Sequence, residues 1–245
     1  MPEAIRATSF SRLKVYEQCG LRAKLAFIDR VKELQADLPP GEELPNERGT
    51  RVHQQADAYV REGGTLIPEL SSFAAEFKKL HELYAKDQVE TEQMWLFDKA
   101  WTRLPDDDPF SRKIWLRVKC DAVVWQNDSE LVVIDFKTGR RFGNEVEHAT
   151  QCQLYQLGAF LRYPGVKTVT TELWYVDQDE LVPIQFTRKQ GLRFFETWNE
   201  RMIRMTSDTD LIAKPNVHSC RWCPYKTGQV RKGVQGTGHC DLNPE

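Results

Sequence analysis

Two short apolar runs constrain this chain more than any other feature: Lys119-Cys120-Asp121-Ala122-Val123-Val124 and Val133-Ile134-Asp135-Phe136-Lys137-Thr138-Gly139. The polar stretch Gln126-Asn127-Asp128-Ser129 lies between them, so they read as two strands joined by a turn. Each strand carries an acid that an ordinary sheet would not choose. Side chains alternate with period two, which puts Leu131, Val133, Asp135 and Lys137 on one face. Trp115, Arg117, Lys119, Asp121 and Val123 share one face of the preceding strand. With an odd loop, for instance Asn127 to Ser129, Asp121 and Asp135 fall opposite each other, their β-carbons about 4.5–5.5 Å apart. Two carboxylates at that range repel unless a positive charge sits between them. Oxygen ligands with open positions suit Mg²⁺ or Mn²⁺, and Lys137 adds an ammonium that can activate a water or neutralise phosphate charge.

At 245 residues the chain can bury a full core, and its formal net charge of −2 gives no overall basic signature. A nucleic-acid role therefore has to come from a local patch. No basic-then-apolar leader opens the sequence and no apolar run approaches ~20 residues, so a soluble cytoplasmic protein with no membrane partner is expected. The six cysteines, at 19, 120, 152, 220, 223 and 240, do not form a secreted disulfide framework and point to metal binding in a reducing compartment. Internal repeats and low-complexity tracts are absent. Gly228-Gln-Val-Arg-Lys-Gly233 lacks the Lys-Ser/Thr of a phosphate loop, which excludes an ATP-driven motor.

In chain order, Ser9 to Gln18 reads as a helix capped by Ser9 or Ser11 and ended by Cys19-Gly20 as a glycine C-cap. A second helix runs from Leu21 to Val31, and a loop from Leu38 to Pro45. The spacing predicts a helix over Asn46 to Val60, with Val52, Ala56 and Tyr59 buried and His53 beside them, and another over Phe73 to Lys86. Glu90 to Trp101 is the first core strand, in which Glu92 reads as an exposed position rather than a third carboxylate. Leu104 to Pro109, with three acids, reads as a solvated loop. After the central strands comes a glycine-flanked basic loop in which Arg140 and Arg141 are placed to grip phosphates. Glu145 to Tyr163 is strongly helical and carries His148, Gln151 and Tyr155 as a polar seam. Thr168 to Val176 and Leu181 to Phe186 complete the sheet. Thr187 then caps a helix through Arg204 on which Arg188, Lys189, Arg193 and Arg201 form a solvated face. The fold class is α/β: a central mixed sheet flanked by helices, with a helical N-terminal segment.

From Lys214 the texture changes to Pro, Gly, Cys and basic residues, a tail that needs a staple. The expected division is a core at 1–213 and a cysteine module at 214–245, integrated into one domain. Cys220-Arg-Trp-Cys223-Pro is a tight hook and Cys240 returns as a third thiolate; Cys19, His218 and His239 compete for the fourth position. Lys226, Arg231 and Lys232 make a basic patch expected to touch DNA. Cys120 and Cys152 read as buried thiols.

The Asp121…Asp135-x-Lys137 arrangement, with Ile134 and Thr138-Gly139 around it, resembles the core of the PD-(D/E)XK nuclease superfamily. More narrowly it resembles the RecB-like exonuclease branch, which includes the CRISPR-adaptation nucleases and many phage recombination nucleases. Gly49-x-x-x-His53, Gln151-x-x-x-Tyr155 and Ser9-Phe-Ser-x-Leu-x-x-Tyr-x-x-Cys19 are similar to further motifs of that branch, in the same order, and Glu92 coincides with an acid often seen there. The resemblance implies a restriction-endonuclease-like sheet in which His53, Asp121, Asp135 and the Phe136 carbonyl hold one or two Mg²⁺ or Mn²⁺ ions. It implies that Lys137 assists the attacking water, with Gln151 and Tyr155 orienting Lys137 or binding DNA. It also implies a structural [4Fe–4S] cluster on Cys19, Cys220, Cys223 and Cys240, for which Zn²⁺ is the alternative. The sixteen residues between Cys223 and Cys240 depart from the common spacing and leave the metal open. By analogy the activity is exonucleolytic, on DNA ends or single strands, in phage recombination, repair or CRISPR adaptation. The setting would be a bacterial or archaeal cell or a phage-infected host, with a recombination or helicase partner. A structure-selective endonuclease, a catalytically idle DNA-binding or assembly subunit and a redox sensor are the rivals.

Overall fold

Runs of Val and Ile pair best when covered on both faces, and the two apolar runs lie at the centre of a five-stranded sheet. The structure, a computed structural model, describes residues 3–35, 41–228, 230–231 and 234–242. The chain divides into two units, Pro45–Trp198 and a terminal unit of Met1–Leu44 with Asn199–Glu245.

In the first unit, strands β1 (Val89–Phe97), β2 (Leu116–Asn127), β3 (Glu130–Lys137), β4 (Thr168–Tyr175) and β5 (Glu180–Thr187) lie side by side in that order. All neighbours are antiparallel except β3 and β4. A parallel pair cannot be joined by a tight turn, and the crossover is the helix Glu145–Arg162. The β2–β3 hairpin closes more tightly than an odd loop: Asn127 pairs with Glu130, and the register shifts between Trp125 and Asn127. The Asn127 side chain accepts from the Ser129 amide at 2.9 Å and sets that turn. Past the shift, Trp125↔Leu131 to Ala122↔Ile134 hold the register in which Asp121 and Asp135 come next.

Helices Pro45–Glu62 and Ala74–Tyr84 supply Val52, Ala56, Val60, Phe77 and Leu80 to a core with Ala122, Val124, Val132, Ile134, Phe136 and Trp174. The rings of Phe77, Phe136 and Trp174 meet at 5.2 to 5.5 Å. Burying each such side chain is worth about 1.5–3 kcal/mol. The long crossover helix covers the opposite face, where Cys152 packs with Leu173 and Tyr175.

Several local readings change. The first strand stops at Phe97 instead of Trp101, because the Asp98 carboxylate accepts from the amides of Ala100 and Thr102 and turns the chain. The acidic loop is anchored: Asp106 takes two hydrogen bonds, at 2.9 and 2.5 Å, from the Arg162 guanidinium. Thr187 and Gln190 form a capping box for one turn only, Arg188–Gly191, before a 3-10 turn and the helix Phe195–Ser207. Arg188 is not on a solvated face; its guanidinium donates to the carbonyls of Phe160, Tyr163, Pro164 and Val166 at the end of the crossover helix. That placement satisfies carbonyls a helix leaves open and puts a cation at the negative end of its dipole.

In the terminal unit, Ser9 caps the helix Phe10–Gln18 through the Arg12 amide. Cys19 is extended (φ −164°), and Gly20 opens the next helix, Gly20–Phe27, instead of closing the first as a cap. Glycine is needed there for space: a β-carbon on it would lie 2.6 Å from the Leu211 carbonyl carbon. Tyr16 donates to Asp208 at 2.8 Å, and Arg201 forks onto Glu17 at 2.7 Å. Leu34–Gln35, Val234–Gln235 and Val230–Arg231 form a small antiparallel sheet. The loop expected from Leu38 lies outside the described residues up to position 40. Among the described residues no helix is long and apolar enough to cross a membrane.

Candidate active site

Period-two alternation fails at Asp121. Val118 lies against the crossover helix, 3.6 Å from where a Gly158 β-carbon would sit, whereas Ala122, of the same parity, packs into the core with Val52 and Ala56. The strand therefore reverses its faces between those positions, and the single face expected for Trp115 through Val123 is not formed. The reversal coincides with a gap in the ladder. Thr91 pairs with Ala122 and Gln93 with Cys120, which leaves Glu92 opposite Asp121 without a pair of backbone bonds. Glu92 is left-handed (φ 51°), a conformation that costs a non-glycine residue roughly 1–2 kcal/mol. On the other side the β2–β3 ladder ends at Ala122↔Ile134, and the next amide, Phe136, donates at 2.7 Å to the Asp121 carboxylate. Asp121 thus stands in for missing ladder acceptors between two acids, Glu92 and Asp135.

His53, on the helix Pro45–Glu62, brings its Nδ1 within 3.0 Å of Asp121 Oδ1. Donor atoms of His53, Glu92 and Asp121 lie within 4.8 Å of one another, the group of that kind found among the described residues. From the sequence Glu92 reads as an exposed strand acid at a position where the resemblance often has one; what makes it a candidate ligand is the reversed backbone, and Lys119 pairs with it at 2.5 Å. On the crossover-helix face, Tyr155 donates to Asp135 Oδ1 at 2.6 Å, and Gln151 donates to the Tyr155 oxygen at 2.7 Å. Lys137 donates to Gln151 at 2.7 Å and lies 2.5 Å from Asp135 Oδ2. That Oδ2 is buried and faces the Lys137 ammonium as its partner.

The electrostatics follow from burial against neighbouring charge. Burial pushes the Asp121 carboxyl up and the charge of Asp135 adds to it, so that it stays above its ordinary value against the His53 hydrogen bond. For His53, burial opposes the charged form, but the Asp121 hydrogen bond and charge, with Asp135 and Glu92 beyond, outweigh it and raise its pKa. Lys137 is raised the same way: burial lowers it and Asp135 more than restores it. The Tyr155 phenol is held well above its ordinary value by burial and by Asp135.

The remaining candidates are scattered. Arg140 is exposed, while Arg141 is paired with Glu180. Asp177 accepts from the Gly139 amide at 2.7 Å and from Arg48 at 2.6 Å, which fixes the start of their loop to the His53 helix. Within the terminal unit Cys19, Cys220, Cys223 and Cys240 are free, half-buried and line one cavity, while Cys120 and Cys152 are buried in the other unit. The Lys214 and Asn216 amides donate to the sulfurs of Cys19 and Cys220 at 3.4 Å. Burial pushes the Cys223 thiol up, and Cys19 and Cys240 beside it push the same way. Among the described residues lining that cavity there is no histidine. Lys226 bridges by its backbone to Cys240; Lys232 and the side chain of Arg231 lie outside the described residues.

A crossover-linked mixed sheet, with an Asp on each of two paired strands and a lysine two residues on, defines a class of nuclease. A sequence model of the PD-(D/E)XK nuclease superfamily matches residues 7–227, and the chain belongs to that superfamily. Members use divalent metal ions, and the fold implies a nucleic-acid substrate. No curated protein matches the chain. Among solved structures, the crystal structure of SSO0001 is similar at 14% identity over 90% of this chain and 84% of its own, with a TM-score of 0.37. A Eubacterium rectale protein provisionally named an exonuclease is similar at 12% identity over 88% of this chain and 86% of its own, with a TM-score of 0.45.

Proposed function

We propose that this protein is a Mg²⁺- or Mn²⁺-dependent DNA exonuclease of the RecB-like branch. The observation that carries the reading is the convergence of His53, Glu92 and Asp121, with the Asp135–Lys137 pair on the neighbouring strand. Mixed carboxylate and imidazole donors in one cluster suit a divalent ion. His53, Glu92, Asp121 and Asp135 would hold it, with the Phe136 carbonyl at hand. When bound, such an ion supplies an activated water and polarises a phosphoryl oxygen.

The chain's own groups do the rest. Lys137, raised by Asp135, remains an ammonium at neutral pH, so it orients the attacking water and offsets charge on the phosphoryl oxygens without taking a proton. Gln151 holds that ammonium, and Tyr155 fixes one Asp135 oxygen while the other faces Lys137. Arg140, exposed on its loop, is available to a neighbouring phosphate.

The four thiols support a [4Fe–4S] cluster in a structural role. A single zinc at about 2.3 Å from each thiolate needs sulfurs about 3.8 Å apart. A [4Fe–4S] cluster takes the same four thiolates at wider spacing. Amide donors to two of the sulfurs suit thiolates.

The test is digestion of end-labelled linear DNA and closed circular DNA in parallel, with Mg²⁺ or Mn²⁺, after purification without air. Loss of linear DNA alone is expected; cutting of the circle would move the reading to a structure-selective endonuclease. Cleavage unchanged in Asp135→Ala would remove the assignment and leave a DNA-binding or assembly subunit. Iron and labile sulfide in equal amounts are expected, and zinc alone would replace the cluster. A role in recombination, repair or CRISPR adaptation, alongside a helicase or recombination protein, rests on the branch analogy.

A further inference from the structure

The terminal unit contains a second concavity besides the thiol-lined cavity, a cleft of about 490 Å³. One wall is a face of the helix Phe10–Gln18, from which Ser11, Lys14 and Gln18 recur at helical spacing, and Arg22 extends it from the next helix. The facing wall comes from the cysteine hook and carries His218 and Trp222. Two cationic side chains, Lys14 and Arg22, line this cleft and, among the described residues, no acid does. For a chain whose formal net charge is −2, that is a local concentration of positive charge. Trp222 is 40% exposed although a hook this short has little core of its own, and Arg221 lies 5.6 Å from the ring centroid.

An aromatic face opposite bases and hydroxyls is the arrangement that accepts an unstacked base with its phosphates. We propose that this cleft seats one nucleotide of single-stranded DNA. Its base stacks on Trp222, and the adjoining phosphates are held by Lys14 and Arg22. The proposal rests on the nuclease reading for the identity of the polyanion, and it assigns the terminal unit a grip on the strand that is separate from the chemistry.

The test uses the full chain carrying Asp135→Ala, so that DNA is bound and not cut, with fluorescence anisotropy of labelled oligothymidine. Trp222→Ala is expected to weaken binding by roughly 5- to 150-fold, the range set by one aromatic–base stack. Trp222→Phe should recover most of it, and an abasic oligonucleotide should bind Trp222→Ala and its parent alike. Lys14→Ala and Arg22→Ala should weaken thymidine and abasic strands equally and each reduce the salt dependence by about one phosphate's share. Iron content of every variant shows whether the hook is intact, and Lys14→Ala, on a helix outside the hook, carries the test if Trp222→Ala loses its metal. Equal affinity for oligothymidine in all variants would overturn the proposal. So would polyglutamate competing as well as oligothymidine, which would make the cleft a site for acidic peptide. If the unsubstituted chain cuts no DNA while binding still depends on Trp222, the nuclease reading fails and this one stands. The reverse pattern sinks this one alone.

Discussion

Asp135 has one oxygen fixed by Tyr155 and one facing the Lys137 ammonium, and those two partners govern what single substitutions should do. Tyr155→Phe deletes the fixing bond while keeping the ring's volume, so kcat should fall about 10- to 100-fold, the usual loss when a ligand's orienting partner is removed. Melting temperature should change little, and an unchanged kcat would show that Asp135 is oriented by something else. His53 gives a pH signature. Its pKa is raised above the ordinary 6.5 by the Asp121 bond and by neighbouring charge against the cost of burial. In the metal-free protein this contributes stability that is fully present below about pH 6.5 and lost as pH rises through the raised value. A cation competes with that proton, so Mn²⁺ affinity should climb over the same window. Calorimetric titration between about pH 6 and about pH 8.5 checks this, and a flat profile would exclude His53 as a ligand.

At the scale of elements, the pairing of the central hairpin is as the letters read although its turn is not: the loop is even, and the shift between Trp125 and Asn127 restores the register an odd loop would give. Asp135 and Lys137 could be placed on one face because strand period is local. Glu92 could not, because its position depends on a left-handed residue and a face reversal shared by two strands, and no period along one strand encodes that. Arg188 reads as solvent-facing for a related reason, and the pairing of Asp106 with Arg162 is not legible although Asp106 is exposed, as its loop reads. The partners, Arg162 and the carbonyls of the crossover helix, are distant in sequence. Asp106→Asn should cost about 1–3 kcal/mol, because Arg162 is nearly buried and loses a charged acceptor. Since Arg162 holds the Asp106 carboxyl below its ordinary value, that stability is present above about pH 4 and lost as pH falls through the depressed value. Denaturant melts of both proteins at neutral and acid pH should converge, and a constant difference would count against the pair. Gly20→Ala should destabilise the terminal unit by about 1–3 kcal/mol or more, since the neighbour it meets is backbone and cannot swing aside.

At the scale of the molecule, the two units are held together internally by different means. The sheet unit has a deep aromatic core around Phe77 and Trp174, whereas the last segment of the terminal unit offers mainly Tyr225 and three thiols. Removing the metal proposed for the thiols should therefore abolish amide-exchange protection around 217–227 while the strands of the sheet keep theirs. Uniform loss in both would mean that the proposed centre supports the whole chain. The terminal unit is also discontinuous, since Met1–Leu44 must meet Asn199–Glu245. During synthesis at about 5–20 residues per second, Cys19 leaves the ribosome on the order of 10 s before Cys220 is made. Through that interval its thiol waits without Cys220, Cys223 and Cys240, so the order of synthesis allows the proposed centre to close only after the strands of the sheet have all been made.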